Sequence, residues 1–490
     1  MTGLSNAVFV GSRWPAKRAE VPAAGPPPAT LTEAAPAIPK KSIAVLPFTD
    51  MSEKKDQEYF SDGLTEELID LLAKIPELKV TARTSSFSFR GRSVTVADIG
   101  RALMVANVLE GSVRRVGNTV RITAQLVRAD NGYYLWSETY DRDLKDVFKV
   151  QDDIARVVVD KLKLTLTGTA PSASTRTANP EVHNLFLQGQ FALQGDTQAS
   201  TAQALEIFQH ALALDPGYAP AWSGVAFARF RRGVNGYEPV REAIKSADTA
   251  AQRAIELDPT LADAYAMLGE LRLVQFDWNG AAQATDKALQ LDHGNALALL
   301  TRAILVQVTG SSAEAMTAMQ PALERDPLNL LTRRYAARTL YHAGKLVEAE
   351  TLLRQILAAN PSFSGAHYEL GRVLLARGGN VAAAITEFES EANPVWRVNG
   401  LPLGYHAAGR TAQANAAMQD LLRHSAGGEF QVGEAYAFLG DADRAFAWLN
   451  RAVTNDPGII WLRNDPLCIK LTHDPRYAAL LKRLNLPPAT

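Results

Sequence analysis

Ala254-Ile-Glu-Leu-Asp-Pro259, Ala288-Leu-Gln-Leu-Asp-His293, Ala322-Leu-Glu-Arg-Asp-Pro327 and Ile356-Leu-Ala-Ala-Asn-Pro361 are four versions of one step. Their closing residues, 259, 293, 327 and 361, follow one another at intervals of 34. A fixed period of that length marks a solenoid of helix-turn-helix units, each burying its apolar face on the next. Proline at three of the four steps stops the preceding helix, because the residue before proline is pushed out of the α region.

Each period divides into two helices. Tyr265, Leu268 and Gly269 share one helical face, and Ala281, Thr285 and Ala288 repeat that spacing on a second. Small residues at Gly269 and Ala281 let the pair approach closely, and Thr260 with Asp263 reads as a capping box for the first helix. These residues resemble the tetratricopeptide repeat, and the resemblance covers roughly residues 185–460. Upstream, Ala204, Phe208, Ala211 and Pro216 make one second half, and Ala247, Ala251, Ala254 and Pro259 another. Pro216 and Pro259 are 43 apart, so an insertion of nine is expected near Gly233–Pro239. Downstream, Leu370, Gly371, Leu374, Gly378 and Ala383 fit a further unit, Leu403–Gly409 a worn one, and Gly433–Pro457 a clean one. About eight repeats are expected.

Before the repeats the texture changes to alternating strands and helices. Ile43-Ala-Val-Leu-Pro-Phe48 is a short apolar run between Lys41 and Asp50, hence a buried strand. A helix carries Leu64, Leu68, Leu71 and Leu72 on one face, Leu78–Ala82 is a second strand, and Thr95–Leu103 a short capped helix. Three strands follow, Val105–Val116, Thr119–Arg128 and Tyr133–Asp141, joined by the hairpin signals Gly117-Asn118 and Asn131-Gly132. A helix over Val147–Leu166 ends the segment. The order β-α-β-α-β-β-β-α implies an α/β N-terminal domain with a mixed sheet, followed by an all-α tetratricopeptide solenoid.

Four blocks of this domain, Ser42-Ile-Ala-Val-Leu-Pro-Phe48, Tyr59-Phe-Ser-Asp-Gly-Leu-Thr-Glu66, Val108-Leu-Glu-Gly-Ser-Val-Arg-Arg115 and Leu135-Trp-Ser-Glu-Thr-Tyr-Asp-Arg142, resemble the TolB amino-terminal-like (FlgO-like) domain over about 42–166. That resemblance implies a bacterial sensory or partner-binding module. In the family it commonly sits before tetratricopeptide repeats, behind a membrane span and either a class III adenylate cyclase domain or a winged-helix regulator. Neither effector domain is recognised in this sequence, so neither cyclase activity nor DNA binding is carried over.

Composition bounds the rest. With 490 residues, two or three domains are expected. Lys and Arg total 51 against 52 Asp and Glu, a balance that argues against a general nucleic-acid binder. Cys468 is the single cysteine, so no intramolecular disulfide and no cysteine-built metal or redox site can form. No run is long enough to span a membrane, and Met1–Val10 lacks the features of a signal segment. The sequence as written reads as cytoplasmic, or periplasmic if an N-terminal anchor is missing. Residues 1–41, rich in proline and alanine, read as an unfolded linker, which suggests a missing N-terminal module. The expected boundaries are 42–166 for the α/β domain, 167–184 for a linker, 185–460 for the repeats and 461–490 for a cap and tail. The cap is a helix from Pro475 to Leu484 that closes the stack with Tyr477, Leu480, Leu481 and Leu484.

No catalytic, cofactor or metal motif is present: there is no HExxH, no GxSxG, no phosphate loop and no GxGxxG. The eight histidines are scattered singly. Asp62, Glu66, Glu67 and Asp70 read as favourable charge at a helix start and a solvated face. Arg83, Ser85, Ser86 and Arg90 form a basic, hydroxyl-rich loop after the second strand, the end of a sheet where ligands often bind. Groove-facing places on the first helices of two adjacent repeats hold Arg334, Arg338, Tyr341, Tyr368 and Arg372. Arginine and tyrosine are enriched in binding hot spots, and arginine can grip a carboxylate through two hydrogen bonds. The expected partner is therefore an acidic or C-terminal peptide in that groove. The alternative is that these residues pair with local acids such as Glu348, Glu350 or Glu369. The sequence thus describes a non-catalytic scaffold or sensory module. Alternative roles are the regulatory part of a class III adenylate cyclase system acting in trans, or the orphaned arm of a winged-helix regulator.

Overall fold

The structure is a computed structural model and describes residues 38–490 except 76, 118, 144–146, 163–178, 194–196, 236, 425–427 and 489–490. The proposed linkers, 1–37 of the first and 167–178 of the second, lie outside the described residues. Residues 38–490 belong to one compact unit.

The sheet is built from β1 (Ser42–Val45), β2 (Thr49–Asp50), β3 (Lys79–Val80), β4 (Asn107–Val116), β5 (Thr119–Arg128) and β6 (Tyr134–Asp143). Strands run in the order β3-β1-β4-β5-β6, with β2 beside the far half of β4. Contacts among β1, β2, β3 and β4 are parallel and β4-β5-β6 antiparallel, so the sheet is mixed. The expected strand Ile43–Phe48 is broken in two because Pro47 carries no N–H for a ladder. Its centre is buried on both faces: Ile43, Ala44 and Val45 are each 0% exposed, which is why the run is apolar without alternation. Helices α1 (Glu58–Ala73) and α4 (Val147–Lys161) cover one face with Leu64, Leu68, Ile154 and Val158. Between them in sequence, α2 (Arg83–Phe87) and α3 (Val96–Leu103) follow β3, and α3 covers the opposite face with Ile99 and Leu103. The basic loop expected after the second strand is helical over Arg83–Phe87, a departure from the sequence expectation.

Helices α5 (Pro180–Leu193) to α20 (Ala442–Asn455) pair successively into eight helical hairpins. The nine extra residues before Pro259 are spread over long helices as well as their turn. Helix α7 (Ala219–Val234) has 16 residues and α8 (Val240–Leu257) 18, against 13 in α9 (Ala262–Val274) and 14 in α10 (Trp278–Leu291). Close packing depends on small residues as expected. A Cβ on Gly269 would stand 2.5 Å from Thr285 Oγ1, and one on Gly371 or Gly400 would strike the Phe388 ring at 2.3 or 2.2 Å.

The recurring Asp or Asn has a definite task at the end of five of these hairpins. Asp215, Asp258, Asp292, Asn360 and Asp456 each accept the backbone N–H two residues on through Oδ1, an Asx turn that reverses the chain. The expected capping box at Thr260 does not form. Its N–H and hydroxyl both donate to Asp258, Leu261 is the N-cap, and Asp263 accepts from Asn295 Nδ2. After Asn455 the chain runs through two 3-10 segments, Pro457–Asn464 and Pro466–Leu471, into α21 (Pro475–Arg483). Tyr477, Leu480, Leu481 and Leu484 of that end are buried.

Candidate functional site

The first set of candidate residues, on α2, lies against the solenoid. Ser85 is 0% and Asp326 3% exposed, and Asp326 Oδ1 accepts from both the Ser85 N–H (3.0 Å) and the Ser85 hydroxyl (2.5 Å). The Leu328 N–H, which would complete an Asx turn on Asp326, donates instead to Ser85 Oγ at 2.8 Å. One hydroxyl from the α/β domain thus stands inside a repeat turn. Beside it the Ala82 N–H donates to Arg325 O (2.7 Å), and Arg325 Nη1 donates to Val80 O. Arg83 is ion-paired with Glu66, and Arg90 with Glu58 and Asp62; both guanidinium groups face the Phe87 ring. Burial raises the Asp62 and Glu66 carboxyls, and these arginines oppose the rise. Ser86 is fully buried, with no partner for its hydroxyl among the described residues. The expected open ligand loop is therefore closed at Ser85 by the adjacent repeat turn, while Arg83 and Arg90 are taken up by the carboxylates of α1.

The second set sits on α13 (Leu330–His342) and α15 (Ala366–Arg377), 34 residues apart, so Arg338 and Arg372 hold equivalent places. Neither is free to meet a partner. Arg338 pairs with Glu369 and stacks 4.8 Å over Trp461. Arg372, 6% exposed, donates at 2.6 Å to both Glu434 Oε1 and Asp465 Oδ2. The Tyr368 hydroxyl donates to Glu434 Oε2 at 3.0 Å, and the Arg372 guanidinium lies 5.0 Å over the Tyr341 ring. Arg334 is held more loosely, 3.6 Å from Glu369, beside Gly365 and Trp396. The expectation of five outward-facing residues is corrected: Tyr341, Tyr368 and Arg372 are core, and Arg338 is tied down. Glu369 and Glu434 come from repeat helices, while Trp461 and Asp465 reach these arginines from the C-terminal 3-10 segments.

Burial drives the Glu434 carboxyl well above its ordinary range. Burial also presses on Asp465, but the Arg372 guanidinium and a hydrogen bond with Glu434 outweigh it and hold that carboxyl low. The Arg372 guanidinium is thus answered chiefly by the Asp465 charge. A buried arginine left without that answer would be strongly destabilising.

Sequence reasoning missed Trp461, Asp465 and Glu434. A signal was available: Asp456-Pro457, Asp465-Pro466 and Asp474-Pro475 recur every nine residues, and each aspartate caps the helix that follows. That pattern marks short helical turns rather than a further repeat.

What remains open on the inner side is a cavity of about 910 Å³, lined on one side by Tyr335, Trp396 and Trp461 and on another by Phe230 and Glu270. Tyr335 and Trp461 lie 6.0 Å apart, and Trp396 stacks 5.2 Å from Tyr368. All three lining aromatics are half-buried. Among the described residues no group of His, Cys, Asp and Glu side chains is arranged to hold a metal ion, and no helix is long and apolar enough to cross a membrane.

Comparison with known proteins divides the chain in the same way. Residues 39–157 match the model of the HilA/YgeH-like transcriptional regulator second domain. Tetratricopeptide models match residues 300–362, 337–394 and 430–459. A Rhizobium meliloti (strain 1021) protein named "Putative adenylate cyclase 3" is 39% identical over 238 residues, which are 47% of this chain. The chain spans 40% of that relative's length. A thermophilic TPR protein of Thermus thermophilus is similar over 40% of this chain and 99% of its own, with 17% identity and a TM-score of 0.34. The Cut9–Hcn1 assembly of the APC/C is similar over 69% of this chain and 59% of its own, with 14% identity and a TM-score of 0.42. The chain carries tetratricopeptide repeats behind a mixed-sheet α/β domain.

Proposed function

We propose that the chain is a non-catalytic regulatory scaffold of bacterial signalling that holds a peptide segment of a partner protein in its inner cavity. The supporting observation is the half-buried aromatic wall of Tyr335, Trp396 and Trp461 facing that cavity of about 910 Å³. Tryptophan, tyrosine and arginine dominate binding hot spots because they bury much area at small entropic loss. Of the five groove residues read from the sequence, Arg334 packs beside Gly365 near Trp396, one residue before Tyr335 of the wall. Arg338, Arg372, Tyr341 and Tyr368 serve the site indirectly, by fixing Trp461 and Asp465. The repeats are a protein-interaction architecture, and the near-neutral charge gives no ground for a nucleic-acid partner.

A second reading is that the chain regulates a class III adenylate cyclase in trans. Two observations favour it: the similarity to the Rhizobium meliloti protein and the four blocks resembling the TolB amino-terminal-like domain. The match of residues 39–157 to a domain of HilA-like regulators favours the related idea of a detached regulator arm.

Two measurements test these readings. The purified chain, given ATP with Mg²⁺ or Mn²⁺, should form no cyclic AMP, and detectable product would overturn the non-catalytic assignment. A partner isolated on the full chain is then titrated against Trp396→Ala. Truncating a hot-spot residue removes about 2 kcal/mol or more of binding, roughly a thirtyfold loss. Unchanged affinity would move the site out of the inner cavity.

A further inference from the structure

The α/β domain and the repeats enclose a separate cavity of about 320 Å³, distinct from the inner one. Its walls come from α1, from Gln151 of α4, from α5, and from the turns that open α9 and α11 (Ala296–Thr309). Five carboxylates line it; Glu66 pairs with Arg83 and Glu67 with His183, which leaves Asp70 of α1 facing Asp263 and Asp292 of the repeats across the two domains. Asp263 accepts from Asn295 Nδ2 at 2.6 Å, and Asp292 from the Gly294 N–H at 2.9 Å. Asp70 is exposed to the cavity and accepts no hydrogen bond among the described residues.

A second, independent feature points the same way. Gln151, 2% exposed, lines the cavity, and its Oε1 meets no donor among the described residues. Glu67 Oε2 is likewise without a donor, although its Oε1 faces His183 Nε2 at 2.9 Å. Buried acceptors left without donors carry a desolvation penalty that a donor-bearing ligand removes. Lys74 and Arg325 line the same space, with no ion pair to Asp70, Asp263 or Asp292 among the described residues. Arg325 itself spends donors on the carbonyls of Gly294 (2.6 Å) and Val80. Phe186 and Tyr218 close one corner of the cavity, edge to face with centroids 5.6 Å apart. Enclosure of the cavity between the two domains, and then the Asp263 and Asp292 charges, push the Asp70 carboxyl well above its ordinary range, with Lys74 opposing the rise.

We propose that this interdomain cavity binds a small organic cation bearing N–H donors, an alkylammonium or guanidinium compound, between Asp70, Asp263 and Gln151. A ligand there would touch both domains at once, so its binding would strengthen their docking. The site is independent of the peptide reading given above, because it lies on α1, α9 and α11 rather than on the aromatic wall.

The test is isothermal titration calorimetry of the full chain with putrescine, and with tetramethylammonium at matched ionic strength. Saturable 1:1 binding of putrescine is expected, with none of tetramethylammonium, which has charge but no N–H. Asp70→Asn should weaken putrescine by roughly tenfold or more, the loss of one charge-assisted hydrogen bond, while the thermal transition without ligand is retained. Should Asp70→Asn not fold, Asp263→Asn carries the same expectation. No saturable heat at millimolar putrescine, equal binding of tetramethylammonium, or undiminished binding by the folded variant would each overturn the proposal.

Discussion

Ser85 and Asp326 are 241 residues apart in the chain, yet the serine hydroxyl occupies the place that a backbone N–H takes in the other repeat turns. It donates to Asp326 Oδ1 and accepts from the Leu328 N–H, so the turn and the domain contact are one hydrogen-bonded unit. Asp326→Ala leaves the Ser85 N–H and hydroxyl buried without an acceptor. Removing one partner of a buried hydrogen bond costs about 1–3 kcal/mol. The expected outcome is destabilisation of that order in urea, with Ser85→Ala and Asp326→Ala non-additive in a double-mutant cycle. Strictly additive losses would mean that the two residues do not act together.

The α/β domain also meets the solenoid through a glycine. A Cβ on Gly63 would stand 2.3 Å from Leu187 Cδ1, so α1 and α5 approach as closely as they do because residue 63 has no side chain. Gly63→Ala should destabilise the chain by about 1–3 kcal/mol, as overpacking does. Pairing it with Leu187→Ala should recover part of the loss, read as a shift of the unfolding midpoint. No recovery in the double variant would assign the loss to α1 alone.

Arg372 is the hub of the buried network. Arg372→Ala leaves Asp465 charged and enclosed, and breaking a buried pair on one side costs about 3–5 kcal/mol. The effect should be larger than that of Arg334→Ala, whose pairing to Glu369 is at 3.6 Å. Comparable denaturation midpoints for the two variants would contradict the hub role.

Asp456 offers a pH test. It is 5% exposed, and burial raises its carboxyl to about 7, even though the Phe430 and Gly458 N–H groups donate to it. An acid with a folded pKa above its unfolded one binds more protons when folded. Its stabilising contribution is full below the unfolded value, 3.8, and is lost as pH rises through about 7. The stability of wild type minus that of Asp456→Asn should therefore fall between those values and level off above them. A difference that rises over the same interval would mean that the backbone donors, not burial, govern the group.

The period of 34, the recurring aspartate or asparagine at its steps, the close glycine approach between paired helices and the β4-β5-β6 strands were legible in the sequence. These features rest on neighbours close in the chain or one repeat away, and local spacing specifies such contacts. The residues of the candidate sites were also visible as types: arginines, tyrosines and serines at the right places on their elements. Their partners were not. Asp465 reaches Arg372 from 93 residues away, and Ser85 reaches Asp326 from 241. A groove arginine looks the same in sequence whether it waits for a peptide or is closed by the chain's own C-terminal turns. Only the path of residues 457–471 back against Arg338 and Arg372 decided between them. A buried charge takes whichever carboxylate the packing brings within reach, and packing over that separation is a property of the whole fold.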